Sequence, residues 1–141
     1  MAVNEIYHTS ATATGGRDGS ARSDDGSVDV KLVVPKEMGG PGGDGANPEK
    51  LFAAGYAACF LGAMKAVSGK VGVKVPADAT VTARVGFGPR DEGGYGITAA
   101  LTATLPGVDK AEAEKLMHAA HEVCPYSNAT RNNVDVGLSV G

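Results

Sequence analysis

The chain has 141 residues, 13 Lys and Arg against 16 Asp and Glu, a net charge of −3 and a pI near 5.5. That length allows a single domain, residues 1–141, with a real core, while the acidic balance argues against nucleic acid or an anionic membrane as main partner, since both ask for a basic surface. The opening MAVNEIYHTS has no basic segment followed by an apolar run, so no targeting peptide is expected and the reading is cytoplasmic; in that reducing compartment two cysteines read as free, metal-bound or redox-active rather than as a permanent staple.

Val3 to Thr14 is rich in Thr, Val, Ile and Tyr and reads as a strand, ended by the turn Gly15-Gly16-Arg17-Asp18-Gly19. A short second strand and the turn Asp24-Asp25-Gly26 follow. Val28, Val30, Leu32 and Val34 then alternate with Asp29 and Lys31, which completes a three-stranded meander with one buried face. Met38 to Ala46 is too glycine-rich for regular structure and lacks the Gly-Lys-Ser/Thr ending of a phosphate-binding loop. Asn47 to Val67 predicts the central helix: Asn47 suits the cap, Pro48 the first turn, and Glu49 the positive end of the helix dipole. From Leu51 onward its only charge is Lys65, so the helix is expected to be buried on every side, with Cys59 inside. Its apolar stretch Leu51–Val67 is, as a membrane span, short, contains two glycines and carries that lysine.

Gly69 and Gly72 interrupt the pattern. Val81 to Phe87 and Ile97 to Leu105 alternate in polarity and flank a turn at Asp91 to Gly96, a second and longer hairpin. Asp109 with Glu112 resembles a capping box, and Leu116, Ala119, Ala120 and Val123 recur at helical spacing, so a second helix runs toward Cys124. Pro125 pushes Cys124 out of helical geometry, leaving that cysteine where the backbone is freer. Val134 to Val140 reads as a last strand. The order of elements gives an α+β fold with antiparallel sheets around a buried central helix.

Two chemistries suit the cysteines. His118, His121 and Cys124, with a distant Cys59, supply a donor set that zinc accepts, but steps of three on a helix spread the outer donors about 120° apart and no paired Cys-x-x-Cys is present. In thiol redox chemistry one thiolate attacks a peroxide, becomes a sulfenic acid, and condenses with a second cysteine to a disulfide. Burial alone silences a thiol by raising its pKa, so that reading needs a nearby cation. Arg17, Lys36, Lys50, Lys65, Arg84, Arg90 and Arg131 are all candidates by sequence. The bland reading, cysteines as small core hydrophobes of a non-catalytic or zinc-binding module, stands beside it.

The segments TGGRDG (14–19), NPEKLFAAGYAACF (47–60), ARVGFGPR (83–90) and VCPYSNATR (123–131) closely resemble the organic hydroperoxide resistance proteins, Ohr, of the OsmC-like superfamily. CPYSNATR is the most discriminating, looking like Ohr more than the osmotically induced OsmC branch. The resemblance implies a cofactor-free thiol peroxidase of organic hydroperoxides, recycled by lipoyl-type dithiols and working as an intertwined homodimer, with no metal. It implies Cys59 as peroxidatic cysteine, Cys124 as resolving cysteine, Arg17 as activator of the thiolate and Glu49 as the carboxylate holding Arg17. A guanidinium stays charged and can bind a carboxylate bidentately while presenting another donor to sulfur. Phe52, Tyr56, Phe60, Leu61, Met64 and Tyr126 are the candidate apolar approach for an alkyl chain. An OsmC-branch peroxidase of broader range is the nearest alternative.

Glu49 and Cys59 are ten residues apart, about 15 Å along a continuous helix. Sharing one arginine therefore requires a broken helix or two chains. The expectation is that Arg17 and Glu49 of one subunit complete the site around Cys59 of the other.

Overall fold

The computed structural model describes residues 1–141. The chain divides into two compact units, Met1–Pro48 and Glu49–Gly141. In the first, β1 (Ala11–Thr14), β2 (Ser20–Ser23) and β3 (Asp29–Lys31) form an antiparallel meander in the order β1-β2-β3. The strands are shorter than the residue pattern suggests, and the one buried apolar side chain near them is Leu32, just past β3. Arg17 sits in a 3₁₀ turn, Gly16–Asp18, between β1 and β2. Gly15 and Gly16 have φ of 73° and 63°, the left-handed region that glycine enters without a Cβ penalty, so the expected glycine-dependent turn is present. Within this unit the Arg17 guanidinium reaches the Met38 sulfur at 3.9 Å.

The second unit is built on α1 (Pro48–Val71), 24 residues without interruption. Gly69 lies inside it, and the stop comes at Gly72, φ 79°, whose N–H bonds the Ser68 carbonyl. By length and composition α1 could also cross a membrane. Here Tyr56, Phe60, Ala63, Met64 and Val67 form a buried seam at helical spacing. The opposite side, including Leu51, Ala54, Ala58, Gly62 and Ala66, is exposed. The expectation of burial on every side is thus corrected: one chain covers one face of α1.

The long hairpin follows. β4 (Thr80–Pro89) and β5 (Tyr95–Thr104) pair antiparallel, Thr80 opposite Thr104 and Pro89 opposite Tyr95. Gly93 and Gly94, φ 100° and 71°, close the turn, with Arg90 N–H bonded to the Gly94 carbonyl. After α2 (Lys110–Val123) and the short α3 (Pro125–Thr130), β6 (Val136–Val140) joins the sheet beside β5. The β5–β6 pairing is parallel, Ala99 opposite Val136, which corrects the all-antiparallel expectation. A helix carries the chain back to the starting end of the sheet, and a parallel pair needs such a crossover. Asp109 precedes α2 but its carboxylate makes no capping bond, so the capping box does not form.

The inner face of the sheet, Ala99, Leu101 and Ala103, shares one core with the α1 seam and with Ala113, Leu116, Met117, Ala120 and Cys124. Leu101 is wholly buried there. Leu101→Ala is expected to lower stability by about 2–5 kcal/mol, from lost transfer energy plus the cavity, read as a shift in the urea midpoint.

Candidate active site

Cys59 lies on α1 and Cys124 at the corner between α2 and α3. Pro125 makes that corner: its ring disfavours helical backbone at the preceding residue, and Cys124 adopts φ −64°, ψ 125°. The two sulfurs are 3.5 Å apart, beyond a disulfide's bond length of about 2.05 Å but close enough for a small side-chain adjustment to bridge them. Both cysteines are free. Cys59, expected inside, is only half-buried, while Cys124 is wholly buried. The thiol at the helix end is enclosed by the core, while the one on the central helix borders the side of α1 left open.

Burial pushes the Cys59 thiol up, the Tyr126 backbone N–H pulls it down, and the Cys124 thiol pushes it up again. The balance is upward, so these neighbours alone favour thiol over thiolate.

The corner is fixed by polar contacts. Pro125 has no N–H to offer the His121 carbonyl, and the Arg131 guanidinium bonds that carbonyl instead, with a second donor 2.6 Å from Asn128 Oδ1. Arg131→Ala should therefore lower stability by about 1 kcal/mol, visible as an earlier urea midpoint. Ser127, fully buried, is 2.8 Å from His121 Nδ1 and 2.8 Å from the Tyr56 hydroxyl; Tyr56 also lies 3.3 Å from Thr130 Oγ1. Burial, then the Arg131 charge, hold the His121 pKa down, so its ring is neutral at pH 7 and Nδ1 can accept the Ser127 proton while Tyr56 O–H donates to Ser127.

Phe52, Tyr56 and Tyr126 form an aromatic group with ring centroids 5.6–5.9 Å apart. Gly55 faces it: a Cβ there would meet the Tyr126 hydroxyl at 2.8 Å. Phe52 and Tyr126 line one side of a groove of about 1000 Å³, whose other walls include Tyr95, Ile97, Val134 and the paired Arg90 and Glu92. Of the proposed approach residues, Tyr56, Phe60 and Met64 are fully buried and present no surface to a ligand. Phe52, Leu61 and Tyr126 retain exposure.

An OsmC-like protein family model matches residues 40–139. An organic hydroperoxide resistance protein of Xanthomonas axonopodis pv. citri is 55% identical over 135 residues, covering 96% of this chain and 94% of its own. OhrB of Bacillus subtilis is 42% identical over 137 residues, covering 96% and 98%. The crystal structure of an organic hydroperoxide resistance protein from Legionella pneumophila superposes with a TM-score of 0.90 at 46% identity, over 98% of this chain and 99% of that one. This chain belongs to the organic hydroperoxide resistance proteins of the OsmC-like family.

In this Ohr chain the structure brings Cys59 and Cys124 together and separates Glu49 from Cys59. Because α1 is unbroken from Pro48 to Val71, Glu49 lies about 15 Å from Cys59 along the axis, and the broken-helix alternative is gone. Arg17 belongs to the Met1–Pro48 unit. Sequence reading missed the Tyr126 N–H, the Tyr56–Ser127–His121 chain and the role of Arg131. Only the last left a signal: a proline directly after a helix leaves a carbonyl four residues earlier without its donor.

Proposed function

We propose that this Ohr chain is a cytoplasmic thiol peroxidase that reduces organic hydroperoxides to alcohols. The observation that carries the reading is the 3.5 Å approach of Cys59 and Cys124 in the free-thiol state; the peroxide class is that named for the Xanthomonas and Bacillus relatives. The Cys59 thiolate attacks the outer peroxide oxygen, the O–O bond breaks, and the alkoxide leaves as alcohol with a proton. Cys124 then attacks the Cys59 sulfenic acid, water departs, and a disulfide forms. A lipoyl-type dithiol reopens it by thiol–disulfide exchange, its own ring closure driving release.

The Cys59 pKa is raised by its surroundings, so the cycle needs a cation. In this reading Arg17, oriented by Glu49, is that cation, and the ten-residue separation of Glu49 from Cys59 along the unbroken α1 supports a site completed by the opposite subunit of a homodimer. The exposed apolar side of α1 fits such an assembly, because a large apolar face is stable only when covered. Phe52, Leu61 and Tyr126 are the substrate-facing apolar residues.

The test is steady-state turnover with dihydrolipoamide, comparing tert-butyl hydroperoxide with hydrogen peroxide. The reading expects a strong preference for the alkyl peroxide and little turnover with a monothiol. Equal rates with both peroxides would point to the broader OsmC-type range instead.

A further inference from the structure

We propose that the Tyr56–Ser127–His121 hydrogen-bond chain positions Cys124 for the resolving step, acting through the cysteine corner rather than on substrate; the proposal rests on the thiol-peroxidase reading above.

The geometry is a ladder between two elements. Tyr56 lies three residues before Cys59 on α1, and Ser127 lies three residues after Cys124. The Tyr56–Ser127 hydrogen bond, 2.8 Å, is therefore the next rung beside the 3.5 Å sulfur pair, with equal and opposite offsets along the two segments. Three residues is nearly one helical turn, so the contacts fall on the same side of α1. Ser127 is also tied to His121 on α2 at 2.8 Å, so one hydroxyl joins all three helices that meet at the cysteines. Tyr56 and Ser127 are fully buried, where hydrogen bonds exchange slowly with water and an unmade one is costly.

The chemistry that depends on this register is narrow. In resolution the Cys124 sulfur, as thiolate, forms a bond to the Cys59 sulfur while the Cys59 S–O bond breaks; the hydroxide takes up a proton and leaves as water. The competing step, attack of the Cys59 sulfenate on a second hydroperoxide, yields sulfinic acid and alcohol and needs nothing from Cys124. Loosening the corner slows the first and leaves the second available.

The experiment follows both steps in one sample by stopped-flow and intact-mass analysis after adding tert-butyl hydroperoxide. For Ser127→Ala, which removes both Ser127 hydroxyl contacts, the rate of disulfide closure, divided by the rate of sulfenic acid formation, is expected to fall at least about fivefold, the factor for one hydrogen bond, with sulfinic acid rising at excess peroxide. Tyr56→Phe loses only the hydroxyl and gives the same reading should Ser127→Ala not fold. A ratio equal to the parent's, including the case where both steps slow together as in general loosening, overturns the proposal. Diamide, which takes two electrons and two protons from the thiol pair and becomes a hydrazine, provides a peroxide-free arm. If the parent forms no sulfenic acid, the functional reading fails, and slower diamide closure in the variants still supports the positioning role while parental closure refutes it.

Discussion

Cys59→Ser protein is expected to consume no organic hydroperoxide above the uncatalysed background, a loss on the order of 10⁶-fold or more, whereas Cys124→Ser is expected to complete one oxidation and stop. The difference follows from where the sulfurs sit. Cys59 is half-buried and borders the open side of α1, the more accessible of the two thiols; Cys124 is wholly enclosed by the core, beside its partner sulfur. A serine hydroxyl at 59 has neither the acidity nor the polarizability to attack the O–O bond at neutral pH. With serine at 124 the sulfenic acid on Cys59 has no intramolecular thiol to condense with, so it persists or passes to sulfinic acid as peroxide rises. Turnover with dihydrolipoamide and intact mass after one equivalent of peroxide distinguish the two variants. Undiminished turnover in Cys59→Ser would remove Cys59 from the reaction.

Arg17→Ala is expected to slow peroxide attack at pH 7 by at least about tenfold and to shift the pH profile upward. An ordinary thiol with a pKa of about 8.5 is only a few per cent thiolate at pH 7, and burial of Cys59 pushes its thiol up further. A guanidinium beside the sulfur favours the charged form and reverses that balance. The sign is then fixed: without Arg17 the thiolate population, and with it the rate, climbs only as pH passes the raised pKa, so the variant gains on the parent as pH rises above the ordinary thiol value of about 8.5. Rapid mixing with tert-butyl hydroperoxide across that range reads the profile directly. A variant whose rate and profile match the parent's would take Arg17 out of the site. Glu49→Ala should move the same profile in the same direction by less, since the role proposed for Glu49 is to orient the arginine and not to replace it.

Local chemistry made much of this fold legible. The Gly15-Gly16 turn, the Pro48 start of α1, the alternating hairpin and the Pro125 break at Cys124 all announce themselves because each is a backbone constraint confined to neighbouring residues. What was hidden is set by partners distant in sequence. The parallel placement of β6 depends on which sheet edge its apolar residues reach after the α2 crossover, and alternation reads the same for either direction. The cover of α1 is not legible in sequence, because an all-apolar helix records that burial is needed and not which molecule provides it. For the site, the two cysteines were plain as the only thiols, but their 65-residue separation concealed the contact, and the Tyr56–Ser127–His121 chain joins residue types too common to stand out.

The central claim, that Cys59 and Cys124 form one redox pair driven by an organic hydroperoxide, is tested most directly by adding one equivalent of tert-butyl hydroperoxide to the fully reduced protein and following both thiols by intact mass and peptide mapping. The account predicts rapid loss of both thiols together, one alcohol released per chain, and a single Cys59–Cys124 disulfide. Two thiols still free after the peroxide has been consumed by nothing but its own decay would contradict it.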